Sequence, residues 1–556
     1  MNELLACVLL PLLGIALIWA FDASRNGSRW IALVTSLYTL LLAARLVISF
    51  LSGGGGDSVV AFDRPWISSY GVEVHFALAL DGLSVWLFGL SALLTLTGIL
   101  VSWEAVTDRA PTFYALLLLL ATGMLGVFAA RDVILFYVFF EFTLIPLFFL
   151  IGIWGYEERR YAAIKFFVFT LAGSLFTFLG LLSIVLWNFY HAAAGVLDFS
   201  FVGVSAALAE QPIRPDLQLV IFLALFAGFA IKVPLFPLHT WLPLAHTQAP
   251  TAGSVLLAGI LLKVGAYGFV RFSLAMLPDA AITCMPWLLG LSVAGIVYGA
   301  LVALAQSDVK RLIAYSSVSH LGFCTLGIFS LNRLGVEGGV LQMINHGLST
   351  GGLFAVVGMM YERYHTREIS DYSGLSRRMP ILAFFMLVFT LSSIGVPGLN
   401  GFAGEFLLLS GAFQRGWTEA PESWWLAGRV ISVLAVSGVI LGAWYMLWLV
   451  QRIFFGPLRE PAREGGHSEV HDLNAREICA LAPLVAVMLW IGLVPRHFLK
   501  PMARTLDPVA QTIALRMDET TRDKTPLLTD GTDSKQSVAR RATANRFGLK
   551  GVARVD

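Results

Sequence analysis

Residues 226–272 read FAGFAIKVPLFPLHTWLPLAHTQAPTAGSVLLAGILLKVGAYGFVRF, and this stretch decides the fold. It is apolar enough to lie in a membrane, yet it contains two lysines and two histidines, namely Lys232, His239, His246 and Lys263. Its helical pattern is interrupted by four prolines: Pro234, Pro237, Pro243 and Pro250. An ammonium near the bilayer centre costs about 2.5–3.5 kcal/mol on insertion scales, and a broken helix at that depth must face protein or a wet cavity. The stretch therefore predicts an ion path through a membrane protein.

The composition of the whole chain agrees with a membrane location. Of its 556 residues, 57% are hydrophobic and 13% are charged, whereas a soluble globular chain is about 25% charged. The N-terminal segment carries Glu3 where a secretory signal would carry a basic residue, so we interpret it as an uncleaved first helix. The four cysteines are scattered without CxxC spacing, and no glycine-rich nucleotide motif is present. We therefore expect this chain to bind no metal, no cofactor and no nucleic acid.

Fourteen apolar windows are candidates for membrane spans, because a membrane helix needs about 20 apolar residues. They are centred on residues 4–20, 30–51, 79–102, 112–130, 133–154, 162–188, 217–247, 252–273, 282–304, 311–331, 337–360, 380–414, 425–454 and 477–496. The loops after odd-numbered spans hold sixteen Lys or Arg residues, and those after even-numbered spans hold seven. The positive-inside rule then places the odd-numbered loops in the cytoplasm. Both termini are predicted on the outer, periplasmic side of a bacterial inner membrane.

The seventh and twelfth windows are each expected to contain two half-helices. One includes IKVPLFPLH and the other IGVPGLNGF, with Pro234 and Pro397 at matching places. Corresponding interrupted spans in two halves of a chain indicate a transporter built from repeats, with ion sites at the breaks. The sequence therefore predicts an all-α polytopic membrane protein. Helices 1–3 are expected in residues 1–110, a first five-helix repeat (spans 4–8) in 111–273, and a second repeat (spans 9–13) in 279–455. A loop and helix 14 follow in 456–496, and a polar, disordered tail follows in 497–556.

Glu141 lies in the apolar run ILFYVFFEFTLIPLFFLIGIWG. A carboxylate there must pair, take up a proton or face water. Pro146 frees the carbonyl of Phe142 and is expected to bend the helix. Two interpretations remain open: an ion pair, for example with Lys232, that holds two helices together, or a proton carrier that depends on that pair. The second is favoured, since desolvation can outweigh the attraction within a buried structural pair.

Lys232 and Lys263 are candidates for a proton relay. A lysine in water keeps its proton at neutral pH; burial weakens its hold on the proton, and a nearby carboxylate strengthens it again. Movement of Glu141 toward or away from Lys232 would therefore switch the protonation of that lysine. His239 and His246, among the prolines, either gate and wet this path or cap the half-helices.

Two histidines and a second acid continue the series. His320 lies in AYSSVSHLGFC of span 10, and His346 lies in QMINHGLSTGG of span 11. Either one alone would be interpreted as hydrogen-bonded core, but both lie between the lysines and a further acid, and histidine titrates near neutral pH. That acid is Glu405, in LNGFAGEFLLLSG after the second break, and it is expected to pass the proton to the outside.

These residues lie in motifs that resemble a known family. HTWLPLAHTQAPTAGSVLLAGILLKVGAYG, SDVKRLIAYSSVSHLGF and FAGEF are similar to the antiporter-like subunits of respiratory complex I, the proton-pumping NADH:quinone oxidoreductase, and the similarity covers about residues 75–495. Types L and N of that family, and the Mrp-type cation/proton antiporter chains, usually carry a lysine in the twelfth helix. Because this chain has Glu405 there, it resembles chain M, the counterpart of mitochondrial subunit 4. It departs from many bacterial members at Leu244, where they have aspartate.

The resemblance implies fourteen helices, two inverted five-helix repeats and a central polar axis. By this resemblance, Glu141 is the acid of helix 5, Lys232 is the lysine of broken helix 7, and Lys263 is the central lysine of helix 8. His320 and His346 are the linking histidines, and Glu405 is the terminal acid of helix 12. It also implies chains L and N as neighbours in a membrane arm. FMN, iron–sulfur clusters and quinone would be bound by partner subunits.

Three functions remain open at this point. The leading hypothesis is a proton-translocating subunit of NADH:quinone oxidoreductase, with no redox chemistry in this chain itself. The second is an Mrp-type Na⁺/H⁺ antiporter subunit. The third is a passive scaffold in the membrane arm, for which neutralising Glu141 or Lys232 would change assembly alone.

Overall fold

The computed structural model describes residues 2–53, 61–191, 195–419, 424–461 and 470–524. Within those ranges the chain is almost entirely helical. The α-helices are α1 Glu3–Ala20, α2 Arg25–Ser52, α3 Ser84–Val101, α4 Ala110–Ala129, α5 Val133–Phe142, α6 Leu144–Trp154, α7 Arg159–His191, α8 Phe201–Glu210, α9 Pro215–Lys232, α10 Trp241–Gln248, α11 Thr251–Leu256, α12 Leu262–Gly268, α13 Pro278–Leu304, α14 Val309–Phe329, α15 Arg333–Tyr364, α16 Pro380–Ser393, α17 Asn400–Trp417, α18 Trp425–Phe454, α19 Ala475–Leu493 and α20 Arg496–Lys524. Leu257–Leu261 and Phe269–Leu274 are π-helical turns, and Ile369–Asp371 and Leu375–Arg377 are 3-10 turns.

The described helices confirm an all-α polytopic membrane protein. Thirteen helical segments are long and apolar enough to cross a membrane. One of them joins α5 to α6 across Thr143, as Pro146 predicts, and another runs from α11 through both π-turns. The interrupted pair α16 and α17 corresponds to the predicted window 380–414 and is not among these thirteen. The predicted breaks in spans 7 and 12 are confirmed by the gaps between α9 and α10 and between α16 and α17.

The first break is stabilised by a side chain that replaces a lost backbone bond. Helix α9 ends at Lys232, and α10 resumes at Trp241. Proline has no N–H, so the last carbonyls of α9 need other donors. The indole Nε1 of Trp241 donates to the carbonyl of Ile231 at 2.9 Å. The two half-helices are thereby tied across the gap.

The second break is held by amide and hydroxyl groups. The Ser392 hydroxyl donates to Asn400 Oδ1 at 2.6 Å, and Asn345 Nδ2 donates to the Asn400 carbonyl at 2.8 Å. In both halves of the chain, the long helix that precedes the broken span packs against both of its parts: α7 against α9 and α10, and α15 against α16 and α17. This parallel arrangement agrees with the predicted repeat, whose boundaries remain a prediction.

Contacts between loops show that the spans alternate in direction as predicted. Loops after odd-numbered spans meet one another: Tyr156 N donates to Gln248 O at 3.0 Å, and Arg367 Nη1 donates to Thr247 O at 2.7 Å. Segments that follow even-numbered spans contact one another on the opposite face of the protein, called the even-loop face below. There Asp81 pairs with Arg131 at 3.1 Å and with Arg271 at 2.6 Å.

A small sheet on the even-loop face was not predicted from the sequence. Strands β1 Ala61–Ser69 and β2 Val72–Ala79 form an antiparallel hairpin that turns at Gly71, whose φ is +77°. The short strand β3 Leu197–Asp198 pairs in parallel with β2. Charged residues are frequent in the hairpin, so its alternating apolar pattern is weak.

The C-terminal tail differs from the prediction, because the expected disordered tail from residue 497 begins instead as helix α20. Its buried apolar side chains recur every three or four residues and are Phe498, Met502, Leu506, Ala510 and Ile513. That spacing produces one apolar stripe on a helix, which the polar composition of the tail obscures. Residues 525–556 of the predicted tail lie outside the described part of the chain.

Helix α20 is anchored on the even-loop face. The Phe498 ring lies 4.2 Å from that of Trp86 in α3. The backbone N–H of Gly82 donates to Thr505 Oγ1 at 3.1 Å, and Arg333 at the start of α15 pairs with Asp507 at 3.1 Å. The helix therefore joins the beginning of α3 to the beginning of α15.

Candidate functional site: a buried polar axis

Lys263 lies at the centre of the candidate site and is fully buried, with 0% of its surface exposed. Its Nζ lies 2.7 Å from His346 Nδ1 and also donates to the carbonyl of Ala258. Ala258 belongs to the π-turn that immediately precedes Lys263. Such turns leave backbone groups outside the regular helical ladder and occur often at functional sites. The turn therefore helps to hold the ammonium toward α15.

Close packing of two backbones brings Lys263 to His346. A Cβ on Gly347 of α15 would lie 2.7 Å from the carbonyl of Gly259, and a Cβ on Gly259 would lie 2.2 Å from Leu94. Side chains at these positions would push the two helices apart. The glycines thus allow the direct contact between the ammonium and the imidazole.

His346 leads to a second histidine and then to an acid. The ring centroids of His346 and His320 lie 5.6 Å apart. His320 Nδ1 lies 3.8 Å from Glu405 Oε1, and its Nε2 lies 3.0 Å from the hydroxyl of Ser393. The structure therefore brings four of the predicted residues, Lys263, His346, His320 and Glu405, into one line.

Glu405 is held by polar groups that sequence reasoning missed. Gln342 Nε2 donates to Glu405 Oε1 at 3.1 Å, and Asn345 Nδ2 donates to Gln342 Oε1 at 3.2 Å. Gln342, Asn345 and His346 occur within QMINHG of an apolar span, so their three- and four-residue spacing was the available signal. Glu405 Oε2 lies against Gly395, where a Cβ would approach it to 2.5 Å.

Glu141 and Lys232 form a second group around an aromatic ring. The Lys232 ammonium lies 4.5 Å from the ring centroid of Phe140, and the lysine is 5% exposed. Glu141 acts on Lys232 electrostatically, but in the described part of the chain no direct ion pair joins them. Glu141 Oε1 is buried without a hydrogen-bond partner. The Tyr137 hydroxyl, one turn earlier in α5, bonds to the Glu141 carboxylate. The choice between a structural ion pair and a proton carrier therefore stays a prediction.

The two remaining histidines occupy different places. His239 lies in the first break, 5.0 Å from the ring of Tyr298 and 5.8 Å from that of Phe236. His246 lies in α10, fully buried and stacked on Phe354 at 4.6 Å. Neither forms a direct contact with Lys232 or Lys263 among the interactions of the described residues.

The axis combines groups that take up and release protons at successive positions. Amine, imidazole and carboxylate are all general acids and bases, and their burial excludes competing exchange with water. Among the described residues, no group of three or more His, Cys, Asp or Glu side chains is arranged to hold a metal ion. The geometry brings groups that are capable of proton transfer next to one another.

Comparison with known proteins places the chain among respiratory membrane proteins. The family model described as "NADH:quinone oxidoreductase/Mrp antiporter, TM" matches residues 130–434. NADH-quinone oxidoreductase subunit M of Rhodobacter capsulatus is 42% identical over 474 residues, which are 85% of this chain and 88% of that protein. NADH-ubiquinone oxidoreductase chain 4 of Chondrus crispus is 39% identical over 90% of this chain and 95% of its own length.

Solved structures agree with this similarity. A chain of respiratory complex I from Thermus thermophilus, determined with bound NADH, is 35% identical with a TM-score of 0.78, covering 92% of this chain and 99% of that chain. A chain of the membrane-bound sulfane sulfur reductase, an archaeal respiratory membrane complex, is 26% identical with a TM-score of 0.75, covering 89% and 76%. The matched region of the family model contains every residue of the axis from Glu141 to Glu405. The chain therefore belongs to the NADH:quinone oxidoreductase/Mrp antiporter family, and the resemblance predicted from its motifs is confirmed.

Proposed function

We propose that this chain is a proton-translocating subunit in the membrane arm of NADH:quinone oxidoreductase. It relays protons along its buried axis, while quinone reduction takes place in other subunits that bind the flavin, the iron–sulfur clusters and the quinone. The observation that carries the proposal is the line of Lys263, His346, His320 and Glu405. The Lys263 Nζ–His346 Nδ1 distance is 2.7 Å, the two imidazole ring centroids are 5.6 Å apart, and His320 Nδ1 lies 3.8 Å from Glu405 Oε1.

Each residue has a distinct part in this relay. Glu141 changes the charge balance at Lys232 through space, since the two do not touch. A proton released by Lys232 passes to Lys263, which donates through Nζ to His346. His346 and His320 pass it on by accepting at one ring nitrogen and releasing at the other. Glu405 accepts it beside the second break.

The Mrp-type sodium/proton antiporter is the less well supported function. Na⁺ is a hard cation for which oxygen ligands are expected, whereas the centre of this axis consists of an ammonium and two imidazoles. Glu405, in place of the lysine usual for Mrp-type chains, and relatives named subunit M or chain 4 favour the respiratory complex.

We infer the repeat boundaries, the neighbouring chains and the membrane orientation from the sequence pattern and the family resemblance. The two repeats occupy residues 111–273 and 279–455, each with one broken span, and the neighbours are the antiporter-like chains L and N. The odd-numbered loops face the cytoplasm, so that both termini lie on the periplasmic side. Labelling of single cysteines introduced at exposed loop positions, with a membrane-impermeant reagent, tests this orientation.

Lys263→Ala in the reconstituted complex tests the proposed function. We expect proton pumping in proteoliposomes to fall by at least about tenfold per quinone reduced, since positioned proton transfer contributes two or more orders of magnitude. Lys500→Ala, at an exposed lysine of α20, is the matched control and should pump normally. Normal pumping by a fully assembled Lys263→Ala complex would show that the axis carries no protons.

A further inference from the structure

A third lysine, Lys310, does not belong to the predicted axis. It is buried near the face on which the loops after odd-numbered spans lie, called the odd-loop face below. Lys310 lies in the first turn of α14 and is 4% exposed. Its Nζ donates to the carbonyl of Ala249 at 2.5 Å and lies 5.0 Å from the ring centroid of Tyr156. An ammonium has three donors, so one carbonyl and one ring solvate it poorly compared with water.

His246 lies near Lys310 and has no hydrogen-bond partner. It is fully buried, and both Nδ1 and Nε2 lack a partner. Its ring is stacked on Phe354 at an interplanar angle of 9°. Leaving buried polar atoms unpaired is costly, so a purely structural imidazole would be expected to bond at least one nitrogen. His246 interacts electrostatically with both Lys310 and Lys263.

An ion pair covers Lys310 on the side of the odd-numbered loops. Arg367 Nε lies 3.2 Å from Asp308 Oδ2, and these side chains are 19% and 12% exposed. The Arg367 guanidinium also lies 4.7 Å from the same Tyr156 ring. Loops after spans 5, 7, 9 and 11 therefore converge near Lys310, and both members of this partly exposed pair interact with it electrostatically.

We propose that Lys310 takes up protons from the odd-loop face and passes them through His246 to Lys263. The inference rests on the proposed function and adds its uptake branch. A neutral Lys310 amine gains a proton from a hydronium ion at the surface, which is left as water. Its N–H bond then breaks as a bond to one ring nitrogen of His246 forms, and the other ring nitrogen releases a proton to neutral Lys263. Each transfer leaves its donor neutral, so one positive charge moves along the branch.

A structural role for Lys310 makes a different prediction. Ala249 terminates α10, and a cation at a helix C-terminus satisfies the final carbonyls and the helix dipole. Arg367 has such a role, because its guanidinium donates a hydrogen bond to the nearby carbonyl of Thr247. Arginine at position 310 would serve such a role equally well. It would not serve a relay, because a guanidinium does not release its proton in proteins.

Lys310→Arg in the full reconstituted complex distinguishes the two roles. We expect normal assembly and quinone reduction with uncoupler, but proton pumping reduced by at least about tenfold. Arg311→Lys, the same exchange in reverse at the exposed neighbouring residue, is the matched control and should pump normally. Pumping by Lys310→Arg at the wild-type level would overturn the inference.

His246→Phe tests the second step independently. The substitution keeps a flat ring against Phe354 and removes both nitrogens, so we expect the same pumping defect without a larger loss in the double variant with Lys310→Arg. Defects that multiply in the double variant would show that the two residues do not act in one branch. If Lys263→Ala abolishes pumping while Lys310→Arg and His246→Phe leave it intact, the uptake branch is wrong and the proposed function stands. Intact pumping in Lys263→Ala would instead remove the proposed function itself.

Discussion

The two acids of the axis are held in opposite ways. Glu141 Oε1 is buried without a hydrogen-bond partner, and no direct ion pair joins this residue to Lys232 in the described part of the chain. Glu405 accepts a hydrogen bond from Gln342 at 3.1 Å and lies 3.8 Å from His320. Around Glu141 the Tyr137 hydroxyl, from the same helix, bonds to the carboxylate, whereas Glu405 is bonded to Gln342 of another helix and is part of a network of amides and hydroxyls. Glu141 is therefore the more loosely held acid, and Glu405 is fixed between helices.

This difference suggests a division of labour between the two halves. A charge that acts through space loses little when it moves slightly, because the Coulomb energy changes slowly with distance. Proton transfer, in contrast, requires donor and acceptor at hydrogen-bonding separation. The first half therefore suits electrostatic switching, and the second half suits transfer along defined contacts.

The largest expected effect is a contrast between two conservative substitutions. Glu405→Asp withdraws the carboxylate by one methylene from both Gln342 and His320, and a misplacement of about 1 Å can cost about 100-fold in a positioned reaction. We expect pumping per quinone reduced to fall by about 10- to 100-fold. Glu141→Asp keeps the charge near Lys232, and pumping should stay within about twofold of wild type.

Both variants are compared in proteoliposomes by quenching of a pH-sensitive dye, with quinone reduction measured on the same preparation. Equal defects in the two variants would contradict the contrast between a fixed and a loosely held acid. Glu141→Gln, which removes the charge without changing the length, should impair pumping whichever way the aspartate variants behave.

A second contrast concerns a glycine in the second break and a glycine of α12 that packs against the helix end at the first break. Gly395 has φ +71°, and a Cβ there would lie 2.5 Å from Glu405 Oε2. Gly395→Ala should displace the carboxylate, cost about 1–2 kcal/mol of backbone strain, and lower pumping by roughly tenfold. A Cβ on Gly265 would lie 2.7 Å from Phe229 O and from Val233 Cγ2, at the end of α9. Gly265→Ala should therefore lower the thermal stability of the complex more than its pumping, as followed by unfolding and dye quenching on the same sample.

The chemistry of the axis could be predicted from sequence because a charge inside an apolar span is conspicuous. Glu141, Lys232, Lys263 and Glu405 each interrupt a hydrophobic run. Their pairing could not be predicted, because it depends on close backbone contacts such as that between Gly259 and Gly347. Neutral polar residues were also overlooked: Gln342 is as buried as the charged residues, at 2% exposed, but an amide in a span attracts less attention than a carboxylate.

The parts outside the membrane were less predictable. Helix α20 carries a regular apolar stripe from Phe498 to Ile513, but its average composition resembles that of a disordered segment. Lys310 falls between the predicted spans 282–304 and 311–331, and nothing in the local sequence reveals its contacts with Ala249 and Tyr156. Long-range contacts between loops decide burial there, and hydrophobic periodicity does not report them.

A third contrast concerns what ties each break together. Trp241→Phe leaves the Ile231 carbonyl buried without its donor, at a cost of about 1–3 kcal/mol. Ser392→Ala removes a bond to Asn400, which keeps its contacts with Asn345, so about 0.5–1.5 kcal/mol is expected. The temperature at which the purified complex releases this subunit should fall more for Trp241→Phe. A larger fall for Ser392→Ala would mean that the Ser392–Asn400 hydrogen bond stabilises the second break more than the Trp241–Ile231 hydrogen bond stabilises the first.

The smallest effect is expected for Asp63, a solvent-exposed acid. Water screens its charge, so it matters little whether the carboxylate is fixed or loosely held. In the hairpin, His75 Nδ1 lies 2.6 Å from Asp63 Oδ1, and the hydrogen bond that the protonated imidazole donates to this carboxylate raises the pKa of His75 above its ordinary value. A raised pKa in the folded hairpin means that the pair stabilises it below the unfolded pKa of about 6.5, and that this stabilisation is lost as the pH rises through the folded pKa.

Asp63→Asn should therefore speed hydrogen exchange of the hairpin relative to wild type at pH 6, by less than about threefold because exposed pairs are weak. The difference should vanish well above the folded pKa, where His75 is neutral in both proteins. Comparing variant and wild type at the same pH by mass spectrometry removes the intrinsic pH dependence of exchange. A difference that persists unchanged at high pH would mean that the carboxylate stabilises the turn without the imidazolium, and that charge plays no part in holding β1 to β2.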